Sequence, residues 1–133
     1  MKLKEIANLF QALNKIKYSK INIKFSELRK ISQFITALKD DFGLYSEQRD
    51  AILKKHGAES EINPGNYTIK DIINFNKEIT ALESEEIEFV LPEIEFPLNI
   101  KIPDEAEFLN IEDYEALQPY FNFTEEERIY SNE

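Results

Sequence analysis

Glu86-Ile87-Glu88-Phe89-Val90-Leu91, then Pro92, then Glu93-Ile94-Glu95-Phe96-Pro97-Leu98-Asn99-Ile100-Lys101-Ile102 decides the fold, because here the apolar period changes from near 3.6 to 2. Both halves read as strands. The apolar residues are odd-numbered before Pro92 and even-numbered after it, so one flat strand would turn half of them to water. A turn or bulge is expected at Pro92-Glu93. Pro97 lacks a ladder donor, which places the second strand at an edge or shortens it. The tetrapeptide Glu-Ile-Glu-Phe occurs twice, at 86–89 and 93–96, too few copies for a solenoid. It reads as two strands meeting one need.

Upstream the spacing is helical. Leu3, Ile6, Ala7, Leu9, Phe10, Leu13 and Ile16 predict a first helix ending near Tyr18-Ser19. Leu28, Ile31, Phe34, Ile35, Leu38, Phe42, Tyr45, Ile52 and Leu53 mark a longer one between about 23 and 56, with a kink or break allowed near Gly43. Gly57 is expected to close it as a left-handed residue, with Lys54, Lys55 and His56 facing the negative end of the helix dipole. Asn63-Pro64-Gly65-Asn66 reads as a turn. Thr68, answered by Asp71 in a capping box, predicts a third helix with Ile69, Ile72, Ile73, Phe75, Ile79 and Leu82 buried. Downstream of the strands, Asn110 with Asp113 predicts a short fourth helix through Ile111, Tyr114 and Leu117, closed by Pro119.

Charge changes sign along the chain. Residues 1–57 carry 12 Lys and Arg against 6 Asp and Glu, whereas residues 58–133 carry 4 against 20, for a net charge of −10 over 133 residues. Summed fields of this kind steer encounter and select partners without choosing a fold. The length fits one domain able to bury a moderate core. Accordingly, a single domain over 1–121 is expected, with a basic helical part (1–57), an acidic part (58–121) and a solvated acidic tail (122–133).

The residue inventory narrows the chemistry. There is no cysteine, which removes disulfides, thiolate nucleophiles and Cys-based zinc sites. The N-terminus lacks the pattern of a signal peptide, and no apolar run approaches the roughly 20 residues that span a bilayer. With three glycines in all, no phosphate-cradling loop is written. His56 is the only histidine and reads as a helix-end residue rather than a base or metal ligand. Adjacent acids such as Asp40-Asp41 do not converge on one reacting atom, as a catalytic carboxylate pair must. Glu86, Glu88, Glu93 and Glu95 could offer oxygens to calcium, yet the loop pattern for that ion is absent, and a solvated face is the plainer reading. Lys15, Lys17, Lys20 and Lys24 could contact phosphates, but the overall negative charge disfavours direct nucleic-acid binding. No catalytic residue, cofactor or metal is expected.

Several segments in order resemble a family of small, mostly uncharacterised proteins of tailed bacteriophages and prophages. They are Ala12-Leu13-Asn14-Lys15, the stretch from Glu47 to Gly57, Phe75-Asn76-Lys77-Glu78, the acid–apolar alternation of 86–89, and Ile111-Glu112-Asp113-Tyr114 running on to Phe121. The resemblance covers residues 3–121. It implies a phage setting, a virion or host-cytoplasm location and a binding role; it carries over no catalytic residue. His56 stands where that pattern has an aromatic Tyr, and 122–133 extends past its usual end.

These readings combine into an α+β protein: an N-terminal antiparallel helical hairpin plus a third helix, then a small β-hairpin or bent strand pair and a short C-terminal helix. A strand pair alone is marginal in water, so it must lie on the helices or join a neighbouring copy. Oligomers or larger complexes with other phage structural proteins follow, with Glu86, Glu88, Phe89, Glu93, Glu95, Phe96 and Ile100 as the expected partner-binding set. The alternative is an acidic decoy for the nucleic-acid groove of a host defence protein, resting on the charge of residues 58–133.

Overall fold

Leu3–Lys17 form α1 and Phe25–His56 form α2 in the computed structural model, which describes residues 1–59, 61–102 and 108–125. The stripe expected on α1 is the one that is covered: Leu3, Ile6, Ala7, Leu9, Leu13 and Ile16 are all buried. Along α2 the fully buried positions are Ile31, Phe34 and Leu38, three and four residues apart as one helix face requires. Gly43 does not break the helix. Nothing lies within 4 Å of where its Cβ would be, so the helix passes through an exposed, unopposed glycine.

The end of α2 differs from the sequence reading. Gly57 is not left-handed; it is the first residue of β1 (Gly57–Glu59). Glycine is needed there because a Cβ would lie 2.7 Å from the Leu53 carbonyl oxygen, the strand starting hard against the last helical turn. β1 pairs antiparallel with β2 (Tyr67–Ile69), Ala58 opposite Thr68. The intervening Asn63–Asn66 turn forms as expected: the Asn66 N–H donates to the Asn63 carbonyl at 3.1 Å, and Gly65 sits at φ +95°.

Since pairing places Thr68 inside β2, it does not cap α3 (Ile72–Glu83). The cap is Asp71, whose carboxylate accepts from the Asn74 main-chain N–H at 3.2 Å and from its side-chain amide at 2.7 Å. Of the apolar face expected on α3, Leu82 is buried and Phe75 and Ile79 are half-buried, while Ile72 and Ile73 are exposed.

The expected hairpin of 86–91 with 94–102 does not form. Residues 87–97 contain no strand; Lys2 and Glu86 make an isolated antiparallel bridge, with the Ile87 N–H donating to the Met1 carbonyl at 2.8 Å. Strand β3 starts only after Pro97, at Leu98–Ile102, and its partner is β4 (Phe121–Glu125), in parallel. Pro92 and Pro97 each lack the N–H that a ladder between the two halves would use. Phe121 and Phe123 instead offer β3 an alternating partner, and α4 (Ile111–Leu117) lies in the crossover that a parallel pair requires. Four residues of the expected tail, from Asn122 to Glu125, thus belong to a strand; the rest of that tail lies outside the described residues. The helix forecast at Asn110 is present with a complete capping box, its N-cap and Asp113 exchanging bonds of 2.8 and 2.9 Å.

The chain is α+β and divides into two compact units, each drawing on both long helices. Unit 1 combines Met1–Ala7 with Leu38–Val90, and Leu3, Ala7, Tyr45 and Leu82 form a core in it with Phe42, Ile52 and Ile87 packed alongside. Unit 2 combines Asn8–Ala37 with the described residues from Leu91 onward. It contains the parallel sheet and a trio of rings: Phe34 meets Phe96 and Tyr120 edge-on at 5.6 and 5.2 Å, and those two lie 5.7 Å apart.

Candidate functional site

The sheet of unit 2 has two strands, so each strand leaves one side of its backbone unpaired within the sheet. In β3 the Leu98 N–H donates to the Tyr120 carbonyl at 2.8 Å. Strand alternation then turns Leu98, Ile100 and Ile102 toward β4 and turns Asn99 and Lys101 to the open side. Side chains follow the pleat: Leu98, Ile100 and Ile102 are buried, Asn99 and Lys101 exposed. The Asn99 N–H is satisfied by Glu27, whose Oε2 accepts it at 3.0 Å from the first turn of α2. Glu27 is itself held by Lys30 at 3.3 Å. Lys101, one step further along the same side, has no comparable cap among the described residues.

A groove of about 440 Å³ opens beside this strand, lined by Asn22, Ile23 and Lys24, by Asn99 and Lys101 of β3 and by Thr124 of β4. Glu27 is committed to Lys30 and to the strand, and among the described residues the groove-lining cations Lys24 and Lys101 form no ion pair. A second groove, about 410 Å³, lies in the same unit between Phe25, Arg29 and Gln33 of α2 and Glu93, Ile94 and Glu95. Lys30 closes it at one point, 3.9 Å from Glu95.

The seven residues expected to bind a partner are divided between the units. Glu86, Glu88 and Phe89 belong to unit 1. Glu86 forms an ion pair with the N-terminal ammonium at 3.2 Å, Glu88 is exposed, and Phe89 is half-buried. Glu93, Glu95, Phe96 and Ile100 belong to unit 2. Of these, Phe96 is spent on the ring trio and Ile100 on the core beneath β3, leaving the two acids on the second groove. The edge residues Glu27, Asn99 and Lys101 were not singled out from sequence, since an acid in a first helical turn signals only the helix dipole.

His56 lies in unit 1 with its Nε2 2.8 Å from Glu78 Oε2, while Lys55 donates to the other oxygen of that carboxylate at 2.7 Å. The Lys55 bond, followed by that of His56, holds the Glu78 carboxyl below the ordinary range. Asp71 is lowered too, first by the Asn74 side-chain amide. Among the described residues no three His, Asp or Glu side chains gather as a metal site, and no helix is long and apolar enough to cross a membrane. Comparison of the chain with protein-family models, curated proteins and solved structures finds no match in any of the three.

Proposed function

We propose that this protein acts by protein–protein contact as a structural or assembly component of a bacteriophage, in the virion or in the host cytoplasm, without catalysing a reaction. The observation that carries the reading is the open β3 edge. Among the described residues β3 has a strand partner on one side only, and on the other side the main chain of Lys101, beyond the Asn99 N–H that Glu27 holds, is available to a strand of a partner. The opposite charges of residues 1–57 and 58–133 supply the steering that such contacts use, and the family resemblance supplies the phage setting.

Light scattering after size exclusion, at low and high salt, together with mass spectrometry of purified phage particles, tests the reading. Self-association or recovery in particles is expected. A monomer at every concentration and salt, absent from particles and from complexes with their proteins, would overturn it.

A further inference from the structure

Residues 88–91 have the composition of a strand and none of its bonds. Glu88, Phe89, Val90 and Leu91 make no main-chain hydrogen bond among the described residues, although exposure still alternates, Ile87 and Phe89 half-buried, Glu88 and Val90 exposed. Val90 is 82% exposed. Just upstream, Ile87 exchanges bonds with Met1, donating at 2.8 Å and accepting at 3.2 Å, so its main chain is turned to the N-terminus. In an extended chain the next residue turns the other way, so the N–H and C=O of Glu88 face away from the N-terminal residue, and they make no hydrogen bond among the described residues.

We infer that Glu88–Leu91 of one copy adds as a third, antiparallel strand to the open edge of β3 in a second copy, Glu88 pairing with Lys101. This rests on the reading of the protein as an assembly component and names its partner as the chain itself. Three properties match. The free main-chain groups of Glu88 meet the free main-chain groups of Lys101, completing one hydrogen-bonded pair of an antiparallel ladder. The side chains of that pair are opposite in charge, and Lys24 adds a second cation on the groove wall. The phase matches as well: with Glu88 on the exposed face beside Lys101, Phe89 and Leu91 fall on the face of Leu98, Ile100 and Ile102, and Val90 falls opposite Asn99, where its carbonyl takes over the N–H that Glu27 holds within the single chain. The two contacting surfaces are different patches, so the association is heterologous and extends from copy to copy.

Lys101→Pro is the sharpest test, because it deletes an N–H that faces away from β4 and leaves the β3·β4 ladder its donors. Sedimentation at low salt is expected to show self-association weakened about tenfold by Lys101→Pro, the loss of a main-chain bond and its neighbours. Lys101→Glu and Glu88→Lys should each weaken it about fivefold, and the two combined in one chain should restore it. Circular dichroism and melting temperature check each variant's fold. Independently of any variant, hydrogen exchange on the wild-type protein should show the Lys101 and Glu88 amides slowing as concentration rises.

Self-association that ignores all three substitutions, or that leaves both amides unprotected, overturns the strand exchange while leaving the assembly role standing. A monomer at every concentration and salt that is nonetheless recovered in phage particles does the same. Only absence of both self-association and particle binding removes the assembly role with it.

Discussion

Lys15 Nζ lies 2.7 Å from Asp113 Oδ2, although the two residues are 98 apart in sequence. The same oxygen accepts the Asn110 main-chain N–H at 2.9 Å, so one carboxylate both caps α4 and ties it to α1 within unit 2. Asp113 is almost wholly buried, with its side chain 8% exposed, whereas Lys15 keeps 40% of its side chain in water.

That asymmetry ranks two substitutions. Asp113→Ala removes half of the capping box and the cation's partner together and should cost about 2 kcal/mol. Lys15→Ala leaves the buried carboxylate its bond from Asn110, while the cation it deletes was half in water, and should cost about 1 kcal/mol. Urea unfolding of both variants checks the order; equal costs would mean that the cap contributes nothing beyond the ion pair.

The three glycines should respond to alanine in three ways. Gly43→Ala fills open space in an exposed helix and should stabilise by about 0.8 kcal/mol. Gly57→Ala drives a methyl to 2.7 Å from a backbone oxygen that cannot swing aside, and should cost about 2 kcal/mol. Gly65→Ala meets no atom within 4 Å but must hold φ near +95°, so its cost, about 1 kcal/mol, is backbone strain. Thermal melts of the three variants separate these causes.

Much of the helical fold was legible because burial of α1 and α2 follows local spacing that a sequence states openly. Strand partners were not, because β3 and β4 are joined by a long crossover and no local pattern says which alternating segment will pair with which. Phe121 and Phe123 do alternate, and that signal was present at the head of the acidic terminus. The α3 cap shows the limit at finer grain. Thr68 and Asp71 are both good caps three residues apart, and only the pairing of Thr68 with Ala58 decides between them. Of the expected interface, Glu88 kept its exposure, whereas Phe96 and Ile100 were claimed by a ring cluster and a core that depend on residues far along the chain.

Glu78 predicts an acid-sensitive tie between α2 and α3 in unit 1. Its carboxyl is held below the ordinary 4.5 by Lys55 and then His56, so the folded state binds its proton more weakly than the unfolded chain does. The stabilisation is fully present above that ordinary value and is lost as pH falls through the lower, folded one. Melting temperature followed downward from neutral pH should therefore drop more steeply below about pH 5 in the wild type than in Glu78→Gln. Asp71, lowered from 3.8 by Asn74, adds a loss of the same sign in a still more acidic window. Parallel profiles for the wild type and Glu78→Gln would show that the carboxylate's bonds carry no stability.

Tyr45 predicts the opposite, alkaline behaviour in the same unit. Its hydroxyl donates to Glu83 Oε1 at 3.1 Å, and burial first, then the Glu83 charge, pushes its ionisation above the ordinary 10.0. A tyrosinate there would face a carboxylate from within the core formed with Leu3, Ala7 and Leu82, so the folded state holds the proton that the unfolded chain gives up. Stability tied to this group is intact below pH 10 and declines as pH rises from there through the raised folded value. Tyr45→Phe should melt somewhat below the wild type at neutral pH, having lost one hydrogen bond worth about 1 kcal/mol. It should then lose less on going to pH 11, and the gap between the two proteins should narrow. Absorbance at the tyrosinate band supplies the direct readout: of the six tyrosines, the one removed by Tyr45→Phe should be among the last to titrate in the native protein. An unchanged late phase in that variant would show that Tyr45 ionises like an exposed phenol.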